Sequence, residues 1–280
     1  MTGSLGATLK RAGTYPGGWS GAVLLTLLIM FAVVAPFVLP DPNAMPDLLA
    51  SATPPSWAHW FGTDRLNRDL LARVALGARI SLGIAGLAAL LSLTIGTAVG
   101  LIAGFAGGNV DQLLMRLVDA ALAIPRLFFL LLLLVVWERI PVWALVTVIG
   151  VTGWFGTSRL VRGEVLRLRP EAYLQAAAAL GASGVRTIVR HLLPNVAGVI
   201  LVSATLAVGE VILLEAGLSF LGVGVQPPTP SWGAMVLDSR DALSTAPWTL
   251  IFPGAAILIT VLAVNLVSDA LRAAFDPRSA

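Results

Sequence analysis

The sequence predicts an all-α integral membrane protein with six transmembrane helices, and three observations carry that prediction. Of 280 residues, 57% are hydrophobic and 12% charged, against roughly 25% charged in an average soluble chain. The apolar residues gather in blocks near or above the roughly 20 positions that cross a bilayer, whereas a soluble core would break them into shorter amphipathic pieces. Three polar stretches and two tight turns separate six such blocks.

The first block, Gly21 to Leu39, follows Lys10 and Arg11 as a signal peptide would. It is long, holds Pro36 and lacks a small-x-small cleavage site, so a retained signal anchor is expected. Pro40 to Arg79 is polar, and its Trp57, His59 and Trp60 read as an interfacial anchor because amphipathic rings favour the headgroup zone. The second span, Ile80 to Phe105, carries Gly96, Gly100 and Gly104 at four-residue spacing, a ridge that admits close approach of another helix. Packing within this chain is the first expectation, a subunit interface the other. The third span, Leu113 to Trp137, places Arg116 and Asp119 at i and i+3, where they can neutralise one another. Arg126 lies deeper in the same span. The fourth runs from Val142 to Leu160, the fifth from Val196 to Leu218 and the sixth from Trp248 to Leu271. Glu210 and Glu215 in the fifth have no basic residue at helical spacing, so a cavity, a partner or the outer interface is expected beside them. Asp119, Arg126, Glu210 and Glu215 are thus the candidates for a translocation path or gate. Ala106 to Asp111 and Glu138 to Pro141 are the tight turns.

Six crossings put both termini on one side. Lys10, Arg11, Arg162, Arg167, Arg169, Arg186, Arg190, Arg272 and Arg278 then share that side and outnumber Arg65, Arg68, Arg73, Arg79, Arg139 and Arg240 on the other. Basic residues near spans favour the cytoplasm, so both termini are expected there. The chain divides into a cytoplasmic N-terminus with the first span (1–40), an extracytoplasmic loop (41–79) and a five-helix core (80–280) that holds one large cytoplasmic loop (161–195).

That loop reads as two short helices. Pro170 suits a first helical turn, and Glu171 favours the positive end of a helix dipole. The run from Glu171 to Leu180, with Gln175, Ala176 and Ala177 at its centre, has strong helix propensity until Gly181 stops it. Its alanines leave a smooth surface suited to close docking. Beyond Gly184, Val185, Ile188, Val189 and Leu192 fall on one stripe, with Arg186 and Arg190 one turn apart on another face. Pro194 is expected to end this helix and Asn195 to cap the fifth span.

An alanine-rich helix, a glycine and a Leu-Pro exit resemble the signature loop of ABC importer permeases, which reads Glu-Ala-Ala, three residues, Gly, nine residues, Ile, one residue, Leu-Pro. Gln175-Ala176-Ala177, Gly181, Leu193 and Pro194 match its spacing, with Gln175 in place of the glutamate and His191 in place of the isoleucine. The string Arg190-His-Leu-Leu-Pro-Asn195 is similar to the dipeptide, oligopeptide and nickel branch of that family. So are Gly62 to Asp69, where Asn67 replaces the branch's usual glycine, and Gly77 to Leu82. Glu215 to Gly233 resembles the branch's outer loop almost throughout, and Asn265 to Asp269 with Asp276-Pro-Arg278 resembles its C-terminal end. The likeness points to the second, six-span permease of a peptide importer pair and implies the type I ABC importer permease fold.

Uphill transport needs energy, and a phosphate-cradling Walker loop needs Gly-Lys-Ser/Thr. The sole lysine, Lys10, sits between Leu9 and Arg11, so ATP and magnesium are expected in partner subunits. The resemblance implies two cytoplasmic ABC ATPases, a different second permease chain and an extracytoplasmic substrate-binding protein, all at a bacterial inner membrane. In that scheme Gln175 to Gly181 meet an ATPase, with Arg186, Arg190, His191, Leu193 and Pro194 completing the loop. Arg186 and Arg190 face acidic protein, lipid phosphate or simply solvent. Gln226 to Trp232 either meets the binding protein or braces the outer gate. Peptides, nickel complexes and other small solutes remain open as cargo.

Other classes are excluded or weaker. No dense basic run supports nucleic-acid binding, and the net charge is +3. With no cysteine and two distant histidines, His59 and His191, no metal, cofactor or thiolate site is expected. Gly181-Ala-Ser183-Gly184 resembles the nucleophile motif of rhomboid proteases, but eight helical positions hold Ser183 and His191 about 12 Å apart, too far for a nucleophile-base hydrogen bond. An ion-coupled secondary transporter would be expected to show internal repeats and broken midplane helices, and no convincing repeat is visible.

Overall fold

The structure is a computed structural model that describes residues 15–45 and 52–275. Lys10, Arg11 and the motif Asp276-Pro-Arg278 lie outside these residues. The described chain is helical, with one isolated antiparallel bridge between Thr63 and Asp69.

In order, the helices are α1 (Pro16–Val38), α2 (Leu70–Ala106), α3 (Gly108–Leu122), α4 (Arg126–Leu134), α5 (Val142–Val151) and α6 (Trp154–Leu168). There follow α7 (Ala172–Ala179), α8 (Gly184–Thr187), a π-helical turn (Ile188–Leu192), α9 (Leu193–Phe220), α10 (Trp232–Asp238) and α11 (Trp248–Phe275). Among the described residues, five helical stretches are long and apolar enough to cross a membrane, and α3 with α4 makes a sixth if that bent pair counts as one span. The 27 residues of the fourth span reach about 40 Å at helical rise, so the apolar block and its Arg-bearing continuation form one rod.

The glycine ridge packs within the chain, as expected. A Cβ at Gly100 would sit 2.6 Å from the Ser158 carbonyl oxygen, at Gly96 2.8 Å from Trp154 O, and at Gly104 2.7 Å from Val165 Cβ. These contacts advance together along α2 and α6, so the two helices run parallel. The intervening chain, 107–141, must therefore return across the bundle. It does so through a correction to the expected single third span: α3 and α4 meet at 82° across Ala123–Pro125. Pro125 lacks an N–H and its ring clashes with a preceding helical carbonyl, which stops α3.

α9 runs antiparallel to α11, with Gly198 against Phe275 and Gly209 against Val264. α1 lies against α11 through Gly21, where a Cβ would meet Leu266 Cβ at 2.7 Å. Only 11% of the most apolar window of α1 is buried within the chain. Among the described residues, the three larger of four apolar clusters fix the layout. One lies midway between α2, α4, α5 and α9 around Ile84, Leu130, Leu145 and Ile212. Another at one end includes Leu70, Val74, Trp232 and Met235. The third, at the opposite end beside α7, contains Leu101, Val161, Val165, Leu174 and Leu192.

The end that holds α10 is capped by a folded segment. Asp69 accepts from Ala72 N at 2.8 Å as the N-cap of α2 and also binds His59 Nδ1 at 2.8 Å. Phe61 stacks on Phe252 with centroids 3.8 Å apart. Trp57 is 96% exposed and Trp60 66%, consistent with interfacial rings. Asn67, the residue in the glycine's place, has φ +56°, a region asparagine tolerates better than other non-glycine residues.

Candidate functional site

Two places combine accessibility with unusual chemistry: the 169–183 loop and a cavity at the break in the third span. Within the expected 161–195 segment, α6 continues to Leu168, α7 spans Ala172–Ala179 and helix resumes at Gly184. A correction concerns how α7 starts. Glu171 occupies the N-cap position, so Pro170 precedes the helix and does not open it. Gln175 Nε2 donates to the Pro170 carbonyl at 3.1 Å, a bond that an ionised glutamate, having no donor, could not make. Ala176 is exposed, Ala177 partly so, and Gly181 ends the turn at φ +78° with open space where a Cβ would be. Leu174 alone faces inward and is 7% exposed, packed with Leu168, Leu192 and Val196. α7 thus presents a smooth face outward and holds the bundle by one side chain.

Leu180 (89% exposed) and Val185 (74%) extend the outward apolar surface. Arg186 and Arg190 are exposed too, while His191 is half-buried with its ring 6.4 Å from that of Tyr173. The expected stripe of Val185, Ile188, Val189 and Leu192 is split. Val185 and Val189 face out, and Ile188 and Leu192 pack inward. Val185 with Val189 and Ile188 with Leu192 are each spaced by four residues, so they form two adjacent rows, one outward and one inward. Pro194 does not end the helix, because it falls within the first turn of α9, where the π turn has already broken the bonding pattern. Leu193 and Pro194 are both exposed at this junction. Asn195, expected as a cap, instead donates from Nδ2 to the His191 carbonyl at 2.6 Å.

The cavity, of about 280 Å³, opens midway along the helices between Ser92 of α2, Ile124 and Arg126 at the break, Thr152 and Gly153 between α5 and α6, and Ser203 and Glu210 of α9. Arg126 pairs with Glu210 through Nη1 and donates from Nη2 to Ile149 O at 2.9 Å. Glycine at 153 makes this possible: a Cβ there would stand 2.7 Å from Arg126 Nη2 and from Ser92 Oγ. Arg126 Nε and Ser203 Oγ are buried without a hydrogen-bond partner.

The four charged path candidates therefore separate. Glu210 lines the cavity and, with no basic residue at helical spacing, takes its partner from another span: Arg126 and Glu210 meet across 84 residues of sequence. Asp119 pairs with Arg159, not with Arg116, so the expected pair within α3 is not formed. Glu215 is 1% exposed and away from the cavity. It accepts from Ser219 Oγ at 2.7 Å and Ser81 Oγ at 3.1 Å, and those hydroxyls accept in turn from Val225 N and Trp232 N, both at 3.2 Å. Glu215 thus ties α2 and α9 to the 221–232 segment. Within that segment Trp232 is fully buried and donates from Nε1 to Val74 O, while Pro227 and Pro228 are exposed.

Sequence inspection missed Ser92, Thr152, Gly153 and Ser203, single small residues inside apolar runs. Pro125 was the one signal that the third span breaks there. A second pocket, of about 400 Å³, lies at the α10 end between Asp64, Arg68, Arg73, Pro227 and Asp238. Arg68 and Arg73 both bind Asp64, at 2.7 and 3.3 Å. Burial raises the Asp238 carboxyl above its ordinary range, with Arg73 and Arg68 opposing. Among the described residues no group of His, Cys, Asp or Glu has metal-site geometry.

Residues 96–280 match the family described as "Binding-protein-dependent transport system inner membrane component". The chain is 42% identical to the oligopeptide transport system permease protein OppC of Bacillus subtilis, over 92% of this chain and 84% of that protein. It is 44% identical to a putative peptide permease protein of Brucella suis, over 92% and 86%. Against the dipeptide transport system permease protein DppC of Bacillus subtilis it is 40% identical, over 92% and 81%.

Proposed function

The chain belongs to the family of binding-protein-dependent transport system inner membrane components, and on that premise we propose how its loop and cavity serve peptide import. It is the membrane-spanning permease of an ABC peptide importer, a transport component that works with partner ATPases and a substrate-binding protein. The chain has no nucleotide site and catalyses no reaction; ATP with magnesium is bound and split by two partner subunits. A different permease chain completes the membrane unit, because one docking loop serves one ATPase. The loop and both termini face the cytoplasm, and the α10 end faces the binding protein.

One observation carries the coupling role: α7 exposes Gln175, Ala176 and Gly181 outward while Leu174 is locked into the cluster that joins α2, α6 and α9. A push or pull on the alanine face is transmitted through packed side chains to three spans at once, and packed cores shift between discrete arrangements without smearing the motion. Arg186 and Arg190 supply positive charge at the margin of the same face, with His191, Leu193 and Pro194 at the junction to α9. The cavity with Arg126 and Glu210 lies on the transport route. Asp119 and Glu215 are structural, one pairing with Arg159 and the other bracing the 221–232 segment.

The test is uptake of labelled peptide by proteoliposomes that hold this chain, the second permease and both ATPases, with binding protein outside. Uptake is expected only with ATP. Uptake by this chain alone, driven by an ion gradient, overturns the reading.

A further inference from the structure

The cavity at the break in the third span contains hydrogen-bond donors that have no partner among the described residues. Arg126 Nε is buried and unpartnered, and so is Oγ of Ser203, whose side chain lines the same cavity and whose residue is 6% exposed. A buried donor left unpaired is costly, so their pairing in a bound state is favoured. Arg126 is also the first residue of α4, where N–H groups without helical partners concentrate positive partial charge, and its N-cap, Pro125, supplies no side-chain acceptor.

The guanidinium is fixed independently of its counterion. Nη2 is tethered to Ile149 O, and Gly153 leaves the room that this tether needs. Glu210 is the more exposed half of the pair: its side chain is 63% exposed against 23% for Arg126. Glu210 has room to turn away, while the Ile149 tether holds Arg126 in place. A fixed cation, unpaired donors and a releasable carboxylate together match an incoming carboxylate. Exchange of one carboxylate for another also keeps the Arg126 cation neutralised, and the displaced Glu210 is the more exposed of the two side chains.

We propose that this cavity recognises the C-terminal carboxylate of a linear peptide in transit, which replaces Glu210 on Arg126 and accepts further hydrogen bonds from Arg126 Nε and Ser203 Oγ. This rests on the peptide-permease reading. The free carboxylate is the one strong anion that every linear peptide shares whatever its side chains, so a single arginine serves many sequences. Arg126 is a substrate-contacting residue, and Gly153 and Ile149 position it.

The complete transporter in proteoliposomes provides the test, with ATP inside and unaltered binding protein outside. A tripeptide and its C-terminal amide are compared, and the readout is the ratio of acid to amide uptake. Any preference of the binding protein is common to all variants and cancels. Arg126→Gln is expected to lower the ratio about tenfold, the usual weight of one charge-assisted hydrogen bond, by slowing the acid alone. Glu210→Gln is expected to raise it, because the competitor is gone. Equal slowing of acid and amide in Arg126→Gln, or an unchanged ratio, overturns the proposal. If Arg126→Gln fails to assemble, Glu210→Gln decides alone, and a ratio that is unchanged or lowered is then the refuting result. Failure of the wild-type complex to take up either peptide with ATP marks instead the failure of the peptide-permease reading, and the proposal falls with it.

Discussion

Glu215 shows how one buried carboxylate can hold three segments together. It accepts from two serines that each accept from a backbone N–H, so every polar atom in the group has a partner. Replacement by glutamine keeps the shape and an acceptor, whereas alanine strands both hydroxyls. Glu215→Ala is expected to destabilise the detergent-solubilised protein by about 2–4 kcal/mol and Glu215→Gln by less than half as much, read as loss of thermal stability. Equal shifts for the two variants would contradict the hydrogen-bonding role. Gly181 makes the opposite kind of demand, since its surroundings are empty and its backbone angle is positive. Gly181→Val is therefore expected to strain the exit of α7 by about 1–2 kcal/mol. Membrane insertion stays normal while co-purification of the ATPase falls, and co-purification at the wild-type level would refute this.

At the scale of elements, the α2–α6 contact is set by glycines that bring backbones together. Gly100→Leu would drive its Cβ into the Ser158 carbonyl, and the parallel pair must separate. Loss of expression or of several degrees of thermal stability is expected. Gly163→Ala, on the same α6 but with nothing within 4 Å, should be neutral or slightly stabilising through higher helix propensity, by up to about 1 kcal/mol. A comparable loss in both variants would show that the ridge is not what matters. The π turn acts on the junction between loop and span. It admits Pro194 early in α9, with Val189 outward and Leu192 inside.

Across the whole molecule, the loop and the cavity are joined by packing. Leu174 meets the cluster at the base of α2, α6 and α9, and those same helices supply Ser92, Thr157, Ser203 and Glu210 to the cavity wall higher up. Leu174→Ala is expected to leave the ATPases bound but to uncouple them, so that ATP hydrolysis persists while peptide uptake falls severalfold. The side reaching the ATPase is untouched, while the side reaching the spans loses about 2–5 kcal/mol of packing. Proportionate loss of hydrolysis and uptake would place the defect in docking instead. Composition and spacing along the chain were enough for the membrane assignment, the approximate place of five spans, the glycine ridge, the alanine helix with its glycine stop and the lack of a Gly-Lys-Ser/Thr string. Each is a property of composition or short-range spacing, which no distant contact can change. The break in the third span, the pairing of Asp119 with Arg159 and of Glu210 with Arg126, and the bracing by Glu215 emerge from the folded arrangement. Those outcomes depend on which residues meet across 40 to 134 positions of chain. A buried charge takes whichever partner the packing brings within reach, and helical spacing along one segment carries no information about that.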